Sequence, residues 1–209
     1  MNIINKKDGN KEVVEFVANY LLSGKIIAYP TETVYGLGCD ATNIRATKKI
    51  NKLKGSEEKK QLLILVSDMK MANEFAVFNQ AGLSLTKKYW PSVKNKTLES
   101  KGALTLILPT TEIGKKIFKT KTIGLRISSN ELAMSLVKKL GRPLVSTSAN
   151  LIGGVPAQSG QQVMDSFADH DLQPDLILDA GKLNKSKGST IVDCTTENFK
   201  IIRQGDLKI

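Results

Sequence analysis

No apolar run in this chain approaches the roughly 18 residues that a membrane-spanning helix needs. The first ten residues, MNIINKKDGN, carry charge but no signal-peptide core, so a cytoplasmic location is expected. Cysteine is scarce: Cys39 and Cys194 show no Cys-x-x-Cys spacing and no Cys/His cluster, which gives neither a disulfide framework nor a zinc site. Both read as buried structural thiols. Histidine occurs once, at His170 in the polar stretch Ala168-Asp169-His170-Asp171, where a solvated loop residue is expected rather than an acid/base catalyst. Aromatics make up 5% of the residues and do not alternate with basic ones, so a stacking platform for single-stranded nucleic acid has little support. There is no Gly-x-x-x-x-Gly-Lys-Ser/Thr loop and no Gly-x-Ser-x-Gly elbow, so any ATP binds in another manner and a nucleophilic serine is unattractive. No linker, low-complexity tract or repeat divides the 209 residues, and one domain over 1–209 is expected.

What is present is an ordinary globular composition with a strong positive bias. Lys and Arg number 31 against 20 Asp and Glu, a net charge of +11 that favours polyanions such as ATP or RNA without choosing between them. Many of the lysines fall on polar helix faces, where solubility explains them.

Periodicity predicts mixed helices and strands. Lys11 to Ser23 is a helix ended by Gly24, Lys25 to Tyr29 a strand, and Asn43 to Lys54 a helix closed by Gly55. Leu62 to Val66 reads as a buried strand, followed by helices at Asp68 to Phe75 and Gln80 to Trp90. Strands at Ala103 to Leu108 and Thr122 to Ile127 flank a short helix around Ile113 to Phe118. Ser129 is placed to cap a helix over Asn130 to Leu140, with Gly141 past its end. Pro143 to Thr147 is a strand, Gln161 to Phe167 a helix, and Leu176 to Leu178, Thr190 to Val192 and Phe199 to Ile202 complete the strands. This order indicates an α/β or α+β fold whose sheet need not be wholly parallel.

The most informative stretch is Tyr29-Pro30-Thr31-Glu32-Thr33-Val34-Tyr35-Gly36-Leu37-Gly38. Pro30 ends the strand and a turn is expected after it, with Gly36 and Gly38 free to take unusual backbone angles and to let a ligand approach the main chain. Thr31 and Thr33 offer short, stiff hydroxyls. Two more strand ends deliver polar groups, at Thr122 to Arg126 and Ser146 to Asn150, and the three together would line one pocket. Ser148-Ala149-Asn150 suits a phosphate as well as it suits a capping turn. Arg126 suits a carboxylate clamp or a surface salt bridge, and Lys54, Lys59 and Lys60 a triphosphate or solvent.

Taken in order, the decapeptide, Ser146-Thr147-Ser148-Ala149-Asn150 and Ile201-Ile202-Arg203-Gln204-Gly205 closely resemble the YrdC-like family of threonylcarbamoyl-AMP synthases, over about residues 10 to 205. The resemblance implies a twisted mixed β-sheet flanked by helices with a large basic cavity. It also implies formation of threonylcarbamoyl-AMP and pyrophosphate from L-threonine, bicarbonate and ATP, with Mg accompanying ATP, for the threonylcarbamoyladenosine modification of tRNA. Downstream threonylcarbamoyl transferase components and tRNA are the implied partners. By position, Thr33, Arg126 and Ser146 match threonine-binding residues. Lys54, Lys60, Thr122, Ser148, Asn150 and Arg203 match the ATP side, with Lys54, Ser148 and Asn150 closest to the chemistry. Glu32 is expected to anchor its turn by accepting backbone amides. Ser56 stands where the family usually has the arginine of a Lys-x-Arg motif, and the segment Ser92 to Gly102 is an addition. An RNA-binding or regulatory relative with weakened catalysis is therefore the alternative.

Overall fold

The computed structural model describes residues 2–5, 11–55, 63–90 and 103–209. Ser56, Lys59, Lys60 and the segment Ser92 to Gly102 lie outside the described residues. Instead of one sheet, the strands form two mixed sheets. The five-stranded sheet has the order β1 (Asn2–Asn5), β9 (Leu176–Asp179), β2 (Ile27–Pro30), β3 (Tyr35–Gly38), β8 (Thr147–Ser148). The six-stranded sheet has the order β11 (Lys200–Arg203), β10 (Thr190–Asp193), β5 (Leu104–Pro109), β6 (Thr122–Arg126), β4 (Leu63–Leu65), β7 (Leu144–Val145). β1, β9 and β2 run parallel, whereas β2, β3 and β8 alternate in direction. In the second sheet β10 pairs parallel with β5 and β4 parallel with β6, and the other neighbours are antiparallel.

The expected single strand over Pro143 to Thr147 is divided. β7 belongs to one sheet and β8 to the other, and Ser146 is the residue between them, its amide donating to the Leu63 carbonyl at 2.8 Å. A run of only five residues thus ties both sheets together. Apolar runs with no polar alternation, such as Ile26 to Tyr29, are buried throughout, which is what a strand covered on both faces requires.

The helices are α1 (Lys11–Leu22), α2 (Ile44–Leu53), α3 (Met69–Phe75), α4 (Gln80–Tyr89), α5 (Glu112–Phe118), α6 (Glu131–Leu140) and α7 (Gly160–Phe167). α1 and α6 pack Val17 and Leu21 with Leu132, Leu136 and Val137 over Ile27, Tyr29 and Leu176, forming a second core beside the main one. Short polar side chains begin most helices: the Asn43 carboxamide accepts from the Arg45 and Ala46 amides at 3.1 and 3.2 Å, and Asp68 from Met71 at 2.9 Å. For α6 the cap is Asn130, whose side chain accepts the Ala133 amide at 3.0 Å, and not Ser129.

Gly36 and Gly38 also differ from expectation. Both lie in strand β3, and neither has a positive φ. Close approach is the reason for glycine at 38, where a Cβ would stand 2.7 Å from the Tyr29 ring and 3.1 Å from the Val145 carbonyl oxygen. Cys39 and Cys194 are buried free thiols, and burial pushes Cys194 up to about 11, so it stays neutral at physiological pH. His170 is exposed, as expected. No helix among the described residues is long and apolar enough to cross a membrane.

Because Asn130 and not Ser129 caps α6, Asn130→Ala is expected to cost about 1 kcal/mol of stability. Ser129→Ala should leave the urea midpoint unchanged, and comparing the two midpoints tests the assignment.

Candidate functional site

A cavity of about 540 Å³ is lined from both sheets. Thr33, Lys54, Arg126, Ser146, Ser148 and Arg203 all reach its wall, so the polar ends of β2, β6 and β7 do converge. Among the described residues its ionisable lining groups are Lys54, Arg126, Lys187 and Arg203, all cationic.

The loop after β2 is built on the Thr31 hydroxyl. Its oxygen accepts the Thr33 amide at 3.1 Å and the Val34 amide at 3.3 Å, and its proton goes to the Val34 carbonyl at 2.7 Å. The two threonine hydroxyls stand 3.0 Å apart, and either can be the donor. In either sense Thr33 keeps at least one lone pair for a donor in the cavity, such as an ammonium or hydroxyl group.

Arg126 closes the C-terminal end of β6 at 4% exposure. One of its terminal nitrogens faces the Glu32 carboxylate at 3.4 Å and the other donates to Ser146 Oγ at 3.4 Å. Its Nε is buried with no hydrogen-bond partner among the described residues. Glu32 also accepts the Ser128 hydroxyl, and Ser128 in turn accepts the Asn130 amide at 3.1 Å. The expectation that Glu32 anchors its turn through backbone amides is thus replaced by a side-chain network. The cause is Arg126: a buried guanidinium demands a counter-charge, and Glu32 is the carboxylate within reach.

Lys54 lies one residue past α2 and reaches across to the Ser148 and Asn150 carbonyls, donating at 2.6 and 2.8 Å. It staples the Ser-Ala-Asn turn while lining the cavity. Arg203, on edge strand β11, donates through Nε and Nη2 to the Ser189 carbonyl at 3.0 and 2.9 Å. Burial, aided by the charge of Arg126, lowers its pKa, which marks the two guanidiniums as electrostatic neighbours.

A family model for Sua5/YciO/YrdC proteins, described as telomere recombination, matches residues 19–205. The chain belongs to this family. Among its relatives, the threonylcarbamoyl-AMP synthase of Pyrococcus abyssi is 29% identical over 99% of this chain, and that of Idiomarina loihiensis is 36% identical over 69% of this chain and 75% of its own length. The crystal structure of P. abyssi Sua5 complexed with L-threonine superposes with a TM-score of 0.82 at 27% identity, covering 98% of this chain and 57% of that one. The chain spans little more than half the length of the first of these relatives, 58%.

In this Sua5/YciO/YrdC chain, two of the expected ligand residues do not line the cavity. Thr122 shares the face of β6 with Gly124 and Arg126, but four residues along a strand put it ~13 Å from the arginine. Asn150 is turned into its own loop, its Nδ2 donating to the Leu151 and Gly154 carbonyls at 2.7 Å each. These bonds brace the loop over residues 150–154. Sequence reasoning missed Asn51 and the segment Ser186-Lys187-Gly188-Ser189, which line the wall. A polar, glycine-containing turn abutting a strand was the available signal, the same kind that singled out Thr31 to Gly38.

Removing Arg126 leaves Glu32 partly buried without its counter-charge. Arg126→Met is expected to lose about 3–5 kcal/mol, and adding Glu32→Gln should recover part of that loss. Urea unfolding of the two single variants and the double variant measures the coupling.

Proposed function

We propose that this chain is a threonylcarbamoyl-AMP synthase, a nucleotidyltransferase that joins L-threonine, bicarbonate and ATP and releases pyrophosphate, feeding tRNA modification. The observation that carries the reading is the composition of the cavity wall: a carboxylate-binding corner at Thr33, Arg126 and Ser146 shares one space with Lys54, Ser148 and Arg203, with no acidic side chain among the described residues of the wall. Such a wall accommodates an amino acid and a polyphosphate together. The relatives bearing the synthase name support it over the RNA-binding alternative.

In this reading the substrate carboxylate meets the guanidinium of Arg126, while Thr33 accepts from the substrate's ammonium or hydroxyl group. The neutral threonine amine condenses with bicarbonate, losing water, or adds to CO₂, losing a proton, to give an N-carboxylate, which attacks the α-phosphorus of ATP and expels pyrophosphate. No protein nucleophile is needed, and catalysis consists of positioning and neutralisation of phosphate charge by Lys54 and Arg203. Among the described residues no group of three His, Cys, Asp or Glu is placed to hold a metal, and the wall offers no carboxylate. The described residues do not fit a protein-held Mg²⁺, and in this reading the ion enters as part of the MgATP substrate. Transfer of the product to tRNA belongs to the downstream transferase components.

Purified protein incubated with MgATP, bicarbonate and labelled threonine is expected to form pyrophosphate and threonylcarbamoyl-AMP. Arg126→Ala and Lys54→Ala should each reduce the rate at least tenfold, since each removes a charge-assisted contact worth about 1.5–3 kcal/mol. Absence of threonine-dependent pyrophosphate release from folded wild-type protein would refute the proposal.

A further inference from the structure

Beyond the residues already assigned, the wall includes one segment with its own anchoring, Ser186-Lys187-Gly188-Ser189, which leads into β10. The last residues of the chain hold it. The Asp206 carboxylate accepts the Lys187 amide at 3.0 and 3.2 Å and also the Ser186 hydroxyl. Ser186 Oγ accepts the Gly188 amide at 2.9 Å, and Gly188 takes a left-handed φ of 85° that fixes the bend. On its far side Arg203 grips the Ser189 carbonyl and, through Nη2, the Ser189 hydroxyl at 3.0 Å. Gly205 packs so closely on Gly188 and Ser189 that any side chain there would overlap their backbone. The main chain on both sides of Lys187 is therefore held.

The side chain at the centre of this clasp is exposed, and among the described residues it enters no ion pair. It shares the wall with Lys54, Arg126 and Arg203. Arg126 is paired with Glu32, but Lys54, Lys187 and Arg203 around the same space repel each other unless an anion of high charge density lies between them. An amino-acid carboxylate carries one charge and is met at Arg126, which leaves the remaining cations for a polyphosphate.

We infer that Lys187 contacts the polyphosphate of the nucleotide and that Asp206 is the positioning residue that holds the Lys187 backbone for this contact. This rests on the proposed ATP-dependent function. It adds a phosphate ligand from the far end of the chain to those supplied by α2 and the Ser-Ala-Asn turn.

Equilibrium binding of ATP, inorganic tripolyphosphate and adenosine to the full chain, at low and high salt, provides the test. Lys187→Ala is expected to weaken ATP and tripolyphosphate about three- to tenfold, to flatten their salt dependence and to leave adenosine unchanged, while Lys187→Arg retains most of the affinity. Asp206→Asn should weaken both polyphosphates in a protein of unchanged melting temperature, and the double variant Lys187→Ala/Asp206→Asn should lose no more than Lys187→Ala alone. Full additivity would overturn the positioning role, because Asp206 would then act independently of Lys187. Equal ATP and tripolyphosphate affinities in wild type and Lys187→Ala would overturn the Lys187 contact and leave the proposed function standing. A Lys187-dependent affinity in a protein without threonine-dependent turnover would sustain the contact and sink the proposed function. Wild-type protein that binds neither polyphosphate would overturn both.

Discussion

A guanidinium buried to 4% exposure at the end of β6 organises the site, because a charge withdrawn from water must find its solvation inside the protein. Arg126 finds it in Glu32, from the loop after β2, and in Ser146, from the point where the chain leaves one sheet for the other. Those contacts bring the ends of β2, β6 and β7 together. Through Ser128 the same network extends to Asn130 at the start of α6, so the loop, strand and helix that border the site share one set of hydrogen bonds.

The site divides electrostatically along the same lines. At Arg126 a carboxylate already offsets much of the local charge, which suits a singly charged ligand whose ammonium group also needs an acceptor. Elsewhere on the wall Lys54 and Arg203 are anchored on backbone carbonyls, which orient a cation without neutralising it. A cavity with this asymmetry discriminates between a zwitterion and a polyanion by charge density before any shape is considered. In the proposed function it brings two unlike substrates together with no need for a nucleophilic side chain.

Much of the fold was legible because burial imposes periodicity. The inner faces of α1, α2 and α6 and the unbroken apolar strands appear in the structure within a residue or two of where spacing places them. The misses share a cause. β1 and the split at Ser146 depend on which strand each short segment pairs with, and a segment of two to four residues does not encode its partner. Glycine at 36 and 38 looked like backbone freedom, whereas at 38 the Tyr29 ring and the Val145 carbonyl set the requirement, and both belong to other parts of the chain. Glu32 was similarly read from its own turn, although its partner lies 94 residues away at Arg126.

By itself the sequence determined the chemistry available: hydroxyls at 31, 33, 146 and 148, cations at 54, 126 and 203, and a family pattern joining them. Local steric preference and apolar spacing suffice for that, since both act over a few residues. Only the tertiary structure decided which of these groups face one cavity. It turned Asn150 inward, left Thr122 up the strand, and brought Lys187 to the wall by way of Asp206. Those outcomes depend on long-range strand pairing and on where buried charge can be satisfied, and neither is a property of any short stretch of chain.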